Sequence, residues 1–251
     1  MKHFLILIMA LLFHRGALAE TFNMNWYVDN NTYAQTTCES GGDIILPGTP
    51  TKHGYDFTGW VSYTPIEYLE STGIQYIDTG VVFNTGSLKF QALFYVKQIV
   101  GERNFIGTIR GDGNSNGFCC GTDSGIIFLY ARPVNVNMSN IQTGIWYDII
   151  GEFDNNTMSL YINGSRINYG TRDSYYCSEN ITLFMGGPGY RCLDTSARLG
   201  NVKIWHNNII VRDFIPVLDK NGTPCMYDRV TEQFFYNQGT GQFIAGPSLL
   251  N

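Results

Sequence analysis

The chain has 251 residues, 44% of them hydrophobic and 14% aromatic, with only 15% charged and a formal net charge of −5. That apolar share is enough to build a core, and the 28 glycines point to many short strands joined by tight turns. The acidic balance and the lack of any basic patch exclude nucleic acid as a partner class.

Met1, Lys2 and His3 precede an apolar stretch from Phe4 to Phe13, and Ala17-Leu18-Ala19 then offers small residues just before Glu20. A positive start, about ten apolar residues and an A-x-A site predict a secretory signal over residues 1–19. The other reading of the stretch is a membrane anchor or a core segment. It is shorter than the ~20 apolar residues that span a bilayer, and no later run approaches that length. The mature chain is therefore expected from Glu20 onward, as a secreted or cell-surface protein without a membrane span. Loss of Lys2 and Arg15 takes the net charge from −5 to −7.

The cysteines, Cys38, Cys119, Cys120, Cys177, Cys192 and Cys225, all lie beyond the signal. An even number in an exported chain permits disulfides. Cys177 and Cys192 are close enough to clip one loop, which would stabilise by roughly 3 kcal/mol. Cys119 and Cys120 are neighbours and point to opposite faces if they lie on a strand, so buried thiols are the alternative for them. The chain has no C-x-x-C, and only His53 and His206 follow the signal, so a zinc site is not expected.

Thr21 to about Tyr63 has the look of a separate small module, with Trp26 and Trp60, a Gly41-Gly42 turn and a connector through Pro47, Gly48 and Pro50. From about Pro65 onward, strands follow at close spacing. Leu88, Phe90, Ala92, Phe94 and Val96 alternate with Lys89, Gln91, Leu93 and Tyr95, the period-2 signature of a strand with one buried face. Ile145, Tyr147, Ile149 and Phe153 fall on one side of the next strongly patterned strand. Asn155-Asn156 supplies a turn, and Met158, Leu160 and Ile162 return. Asn163-Gly164 is the strongest short turn signal. Further strands are predicted over 105–109, 126–130, 181–185, 202–205, 209–211 and 234–236, with Asn207-Asn208 as another hairpin turn. Residues 66–71 have room for one turn of helix, but no helical period persists over three turns. This pattern predicts a β-sandwich or jelly roll.

Three stretches carry family resemblances. The run "ILPGTPTKHGYDFTGW" resembles the end of the internalin B-type repeat, a β-grasp-like module of bacterial surface proteins, over roughly forty residues. The segment "WYDIIGEFDNNTMSLYINGSRI", from Trp146 to Ile167, resembles the central hairpin of concanavalin A-like and laminin G-like sandwiches. The opening "EYLESTGIQYIDTG", from Glu67 to Gly80, is similar to the first strand of lectin-like domains, and "VKIWHNNIIVRDFIPVLDKNGTPCMYDRVTEQFFYNQGTGQF" fits the same group. Together they imply an all-β chain. A signal peptide (1–19) leads into a β-grasp-like module (20–64), and a concanavalin A/laminin G-like β-sandwich, or jelly roll, covers 65–251. Such sandwiches host lectins, glucanases, adhesion modules and spacers, so function must come from the site.

Glucanases of this resemblance carry an E-x-D-x-(x)-E strand. The nearest candidate here is Glu152-Phe153-Asp154, with Asn155 and Asn156 where a third acid should stand. Glu152 and Asp154 share a strand face. The strand runs into a turn, however, and a solvated hairpin end lacks the shielded pocket a general acid needs. G-x-S-x-G is absent, and His206 beside Asn207-Asn208 reads as a turn residue. Gly186-Gly187 reads as a turn because no G-K-[ST] follows. Arg212-Asp213 and Asp228-Arg229 read as local salt bridges or turn bonds. No catalytic residue is assigned, and the chain is expected not to be an enzyme.

Asp112, Asn114 and Asn116, with Asp123 nearby, form an oxygen-rich run that could hold a structural Ca²⁺, although it is also ordinary turn composition. No other cofactor is expected. Tyr169, Tyr175, Tyr176 and Tyr190, with Arg172 and Arg191 among them, make a candidate ligand surface. Aromatic rings stack on sugar faces, and arginines pair with hydroxyls. The alternative is that these tyrosines cover the core with their hydroxyls in water. The expectation is an exported, non-enzymatic recognition protein that binds glycan or a cell-surface protein. A structural spacer or appendage subunit and an unusual glycoside hydrolase are the rivals.

Overall fold

The computed structural model describes residues 2–4, 21–28, 31–57, 59–60, 62–99, 101–109, 117–154, 156–171, 177–187 and 196–249. No helix occurs among them, so none is long and apolar enough to cross a membrane. The chain divides into two compact units. The first is the chain up to Ile66 with Leu218–Thr223 and the residues from Ser248; the second is Glu67–Val217 with Pro224–Pro247.

The first unit carries β1 (Lys2–Phe4), β2 (Thr21–Val28), β3 (Asn31–Glu39), β4 (Tyr55–Phe57) and β5 (Tyr63–Pro65). β2 and β3 form an antiparallel hairpin running from Thr21↔Glu39 to Val28↔Asn31, and β1 lies parallel to β4. Met24 and Trp26 alternate inward on β2 and are buried. The Trp26 indole N–H donates to Thr36 Oγ1 at 2.8 Å, and its ring meets Trp60 edge-on at 4.9 Å. Phe57 and Tyr33 close on Trp60 at 5.1 Å and 6.0 Å. An aromatic cluster concentrates much apolar area in few residues, which suits a centre this small.

The second unit is a β-sandwich. Its strands in chain order are β6 (Leu69–Thr72), β7 (Ile77–Val82), β8 (Leu88–Val96), β9 (Arg103–Gly107), β10 (Cys119–Asp123), β11 (Ile126–Ala131), β12 (Val134–Ser139), β13 (Ile145–Asp154), β14 (Thr157–Ile162), β15 (Ser165–Thr171), β16 (Asn180–Leu183), β17 (Ser196–His206), β18 (Ile209–Asp219), β19 (Pro224–Asp228), β20 (Gln233–Phe235) and β21 (Ile244–Ala245). Six of them form one sheet in the order β12-β11-β10-β9-β16-β7. The larger sheet runs β15-β14-β13-β8-β17-β18-β19-β20, with β6 joined to β17 and β21 to β6.

The layers meet through phenylalanines. Phe94 of β8 stacks on Phe105 of β9 at 4.5 Å, Phe90 stacks on Phe118 at 5.7 Å, and Phe153 of β13 meets Phe118 and Phe83 at 4.8 Å and 5.7 Å. The inward face predicted for β8 is the buried one, from Leu88 through Val96. On β13, Tyr147, Ile149 and Phe153 are buried as predicted, whereas Ile145 is exposed at the strand's first position. Asn163-Gly164 and Asn207-Asn208 both adopt positive φ, as tight hairpin turns require.

Two expectations fail. Residues 66–71 form no helical turn, because Leu69 to Thr72 pair with Ser196 to Leu199 as β6. The stretch 67–80 is not one strand but parts of two, β6 and β7.

Candidate functional site

β10 and β11 are joined by Ser124-Gly125, both at positive φ, which sets Asp123 opposite Ile126, Gly121 opposite Phe128 and Cys119 opposite Tyr130. β12 adds Asn135 opposite Tyr130 and Asn137 opposite Phe128. Strand alternation then sorts the side chains. Cys120, Ile127, Leu129 and Val136 are buried in the core. Their neighbours point to the outer face, where a cleft of about 220 Å³, open to solvent, is lined by Glu102, Cys119, Asp123, Ile126, Phe128, Tyr130 and Asn135. Beneath it lies a buried apolar cluster of Ile109, Cys119 and Phe128, against which the partly exposed Ile126 and Tyr130 pack.

Gly121 sits in the middle of this face. A Cβ there would lie 1.9 Å from the Arg103 carbonyl oxygen, where β9 and β10 shift register. The close approach admits only glycine and leaves the floor without a side chain at that point. At the rim, Glu102 Oε1 accepts from Asn104 Nδ2 at 2.7 Å, and Asp123 Oδ1 accepts from Ser124 Oγ at 2.9 Å. The cleft therefore presents mainly polar groups, the carboxylates of Glu102 and Asp123 and the amide of Asn135, beside the partly exposed Ile126 and Tyr130.

The outer face of the larger sheet is different in kind. Glu70, Arg198, Tyr95 and Trp146 stand side by side across β6, β17, β8 and β13. The Arg198 guanidinium lies over the Tyr68 and Tyr95 rings at 4.5 Å and 4.9 Å, and Tyr95 meets Trp146 at 5.2 Å. Glu70 accepts from Lys97 Nζ at 2.6 Å and from Arg198 Nε at 2.5 Å. Burial pushes the Glu70 carboxyl up, but the bonds from Lys97 and Arg198 outweigh it and hold the group below its ordinary value. These groups satisfy one another and brace the sheet.

Among the residues singled out from sequence, Asp123 lines the cleft. Tyr169 does not. It stands exposed on β15 with the Arg166 guanidinium 4.8 Å over its ring. Arg172, Tyr175, Tyr176, Tyr190 and Arg191 lie outside the described residues, as do Asp112, Asn114 and Asn116. Among the described residues no three His, Cys, Asp or Glu side chains gather to hold a metal ion. Cys177 is a buried thiol, its Sγ directed at the Thr108 carbonyl at 3.4 Å. The expected clip to Cys192 is not seen at the Cys177 end, and Cys192 lies outside the described residues. Cys38, Cys119, Cys120 and Cys225 likewise form no disulfide.

Glu152 pairs with Lys89 at 3.1 Å on the larger sheet. Burial, and then the Glu152 carboxylate beside it, push the Tyr161 hydroxyl up. His206 Nε2 donates to the Thr85 carbonyl at 2.7 Å. Glu102, Ile126, Phe128, Tyr130 and Asn135 escaped the sequence reading. The signal that could have found one of them, Asn135, is its alternation with Val134, Val136 and Asn137 next to a patterned strand.

The Listeria–Bacteroides repeat domain profile matches residues 22–74. No curated protein matches the chain. Among solved structures, the chain is similar to a candidate carbohydrate-binding protein from Bacteroides ovatus ATCC 8483, at 11% identity and a TM-score of 0.54, covering 95% of this chain and 71% of that one. It is also similar to the CBM40 of the Ruminococcus gnavus IT-sialidase bound to α2,3-sialyllactose, at 11% identity and a TM-score of 0.45, covering 55% and 89%. Alginate lyase A1-II′ of polysaccharide lyase family 7 follows at 13% identity and a TM-score of 0.39, covering 51% and 66%. At these identities the likeness is one of fold, an all-β jelly-roll sandwich.

Proposed function

We propose that the protein is an exported, non-enzymatic recognition protein that binds glycan through the cleft on the six-stranded sheet. One observation carries this reading: the partly exposed Tyr130 and Ile126 stand beside Asp123, Glu102 and Asn135. A pyranose has the same division, an apolar ring face and a hydroxyl edge. The Bacteroides ovatus likeness supports it at the level of fold. The absence of catalysis is supported by Glu152, the nearest acid to a glucanase pattern, which is engaged by Lys89 on the other sheet. The repeat profile over residues 22–74 supports reading the first unit as an internalin B-type, β-grasp-like surface module. With the signal-like start, it supports a working site outside the cytoplasm.

The test is a glycan array followed by titration of the hits with the full chain, Tyr130→Ala and Asn135→Ala. Each variant is expected to lose at least about tenfold in affinity, the loss of one stacked ring or one hydrogen-bonding group, with its thermal midpoint little changed. A wild-type chain that binds no glycan, or variants that bind undiminished, would overturn the proposal.

A further inference from the structure

We infer that one end of the sandwich is a binding site for a small monovalent anion of the size of chloride, with Arg103 as its main ligand. The inference stands apart from glycan binding and does not depend on it.

Arg103 opens β9 and is paired with Thr122 near the end of β10. Both side chains line a hollow of about 20 Å³, together with Phe94, Val96 and Lys97 from β8 and its end, and Ala197 from β17. Arginine cannot shed its charge, and its guanidinium carries several N–H donors that need acceptors. Nη1 donates to the Glu102 carbonyl at 2.8 Å. Nε is buried and meets no acceptor of the protein. A buried donor on a charged group is expensive to leave unpaired, and such an atom beside a hollow points to a bound ion or water.

The surroundings favour the ion. Phe94, Val96 and Ala197 are buried and apolar, whereas a bridging water needs several polar partners. A halide asks only for donors, and the Arg103 Nε–H and the Thr122 hydroxyl can both supply one. Lys97 and Arg198 both bind the carboxylate of Glu70. Within the group of Arg103, Lys97, Arg198 and Glu70, cations therefore outnumber carboxylates. Glu102, next along the chain from Arg103, lines the cleft instead, where its Oε1 accepts from Asn104 Nδ2. A hollow of this size takes about one water-sized particle, which admits a halide and excludes sulfate and phosphate.

The experiment uses the full chain. Urea unfolding is followed at constant ionic strength while sodium gluconate, whose anion is too large for the hollow, is exchanged for sodium chloride or sodium bromide. Once halide exceeds its dissociation constant, a further tenfold rise is expected to lower the unfolding constant about tenfold. Arg103→Met keeps a long chain in the hollow but needs no acceptor, so its stability should not respond to halide. Anomalous scattering from crystals grown in bromide should place the ion against Arg103 Nε and Thr122 Oγ1. Should Arg103→Met fail to fold, the wild-type halide series and the bromide position decide.

Equal wild-type stability in gluconate, chloride and bromide would overturn the inference. So would halide stabilisation that persists in Arg103→Met, or a water in place of bromide at Arg103 Nε.

Discussion

Gly151 lies directly opposite Phe90 in the β13–β8 ladder, where a Cβ would come 2.3 Å from the Phe90 ring. Phe90 has nowhere to retreat, because its other face stacks nearly parallel on Phe118. Gly151→Ala is therefore expected to destabilise the sandwich by about 1–3 kcal/mol through overpacking. Urea unfolding of Gly151→Ala, alone and with Phe90→Leu, checks this: the double variant should recover part of the loss. A Gly151→Ala chain as stable as wild type would show that the ring relaxes freely.

Glu70 predicts a pH dependence. Its burial favours the neutral form, but Lys97 and then Arg198 favour the carboxylate more, so its folded value lies below the unfolded one. Such a group contributes stability that is fully present above the unfolded value of about 4.3 and is lost as pH falls through the lower folded value. Glu70→Gln should cost about 1–3 kcal/mol at pH 7, since it removes the negative charge and leaves one acceptor oxygen for two cationic donors, Lys97 and Arg198. Chemical denaturation of both chains across pH should show the gap narrowing below about pH 4. A gap independent of pH would rule out the ion pair as its source.

Asp228, fully buried, holds the β18–β19 region together. Its Oδ1 accepts the backbone N–H of Asp213 at 2.8 Å and of Val230 at 3.1 Å. Its Oδ2 accepts from Thr231 Oγ1 at 2.7 Å. Arg212 Nε stands 3.7 Å from the same carboxylate. Asp228→Ala strands several donors and is expected to cost about 3–5 kcal/mol. Asp228→Asn keeps an acceptor and should cost less. Equal unfolding midpoints for the two variants would place the effect in volume rather than hydrogen bonding.

Thiol chemistry should separate the cysteines. Cys120 is wholly buried, and desolvation pushes its thiol well above the ordinary value despite a bond from the Gly121 backbone. The reactive form is the thiolate. Cys38 is partly exposed. Alkylation of the native chain near pH 8, followed by peptide mass spectrometry, is expected to label Cys38 well before Cys120, which should react only on unfolding. Early labelling of Cys120 would show that the sheet opens locally.

The parts of the fold legible in the sequence are those governed by local rules. Alternation from Leu88 to Val96 names the inner face of β8 because one side of that strand is core. Asn163-Gly164 and Asn207-Asn208 name turns because asparagine and glycine tolerate positive φ. Asp228 makes the expected turn bonds to Val230 and Thr231, but the ion pairs are not local: they cross from Arg229 to Asp213 and from Arg212 to Asp228. Residues 66–71 mislead, since Ile66 and Leu69 match one helical turn by spacing, while pairing with Arg198 and Leu199 more than a hundred residues away decides the matter. The cleft is illegible for the same reason. Its face is assembled from β9, β10, β11 and β12, and no residue on one strand announces its neighbour on the next. The need for glycine at 121 comes from the Arg103 carbonyl on the neighbouring strand.

The strands under the cleft also divide labour by parity. On β12 Asn135 and Asn137 are exposed and Val136 is buried; on β11 Ile126 and Tyr130 are partly exposed and Ile127 and Leu129 are buried. What the protein recognises and what keeps it folded thus occupy alternate beads on the same thread. Positions 123, 126, 130, 135 and 137 form a palette that can be repainted to change ligand preference while Cys120, Ile127, Leu129 and Val136 stay as they are. Insertion of a single residue in β11 would instead exchange the two sets at once, so drift in specificity on this scaffold should proceed by substitution and not by length change.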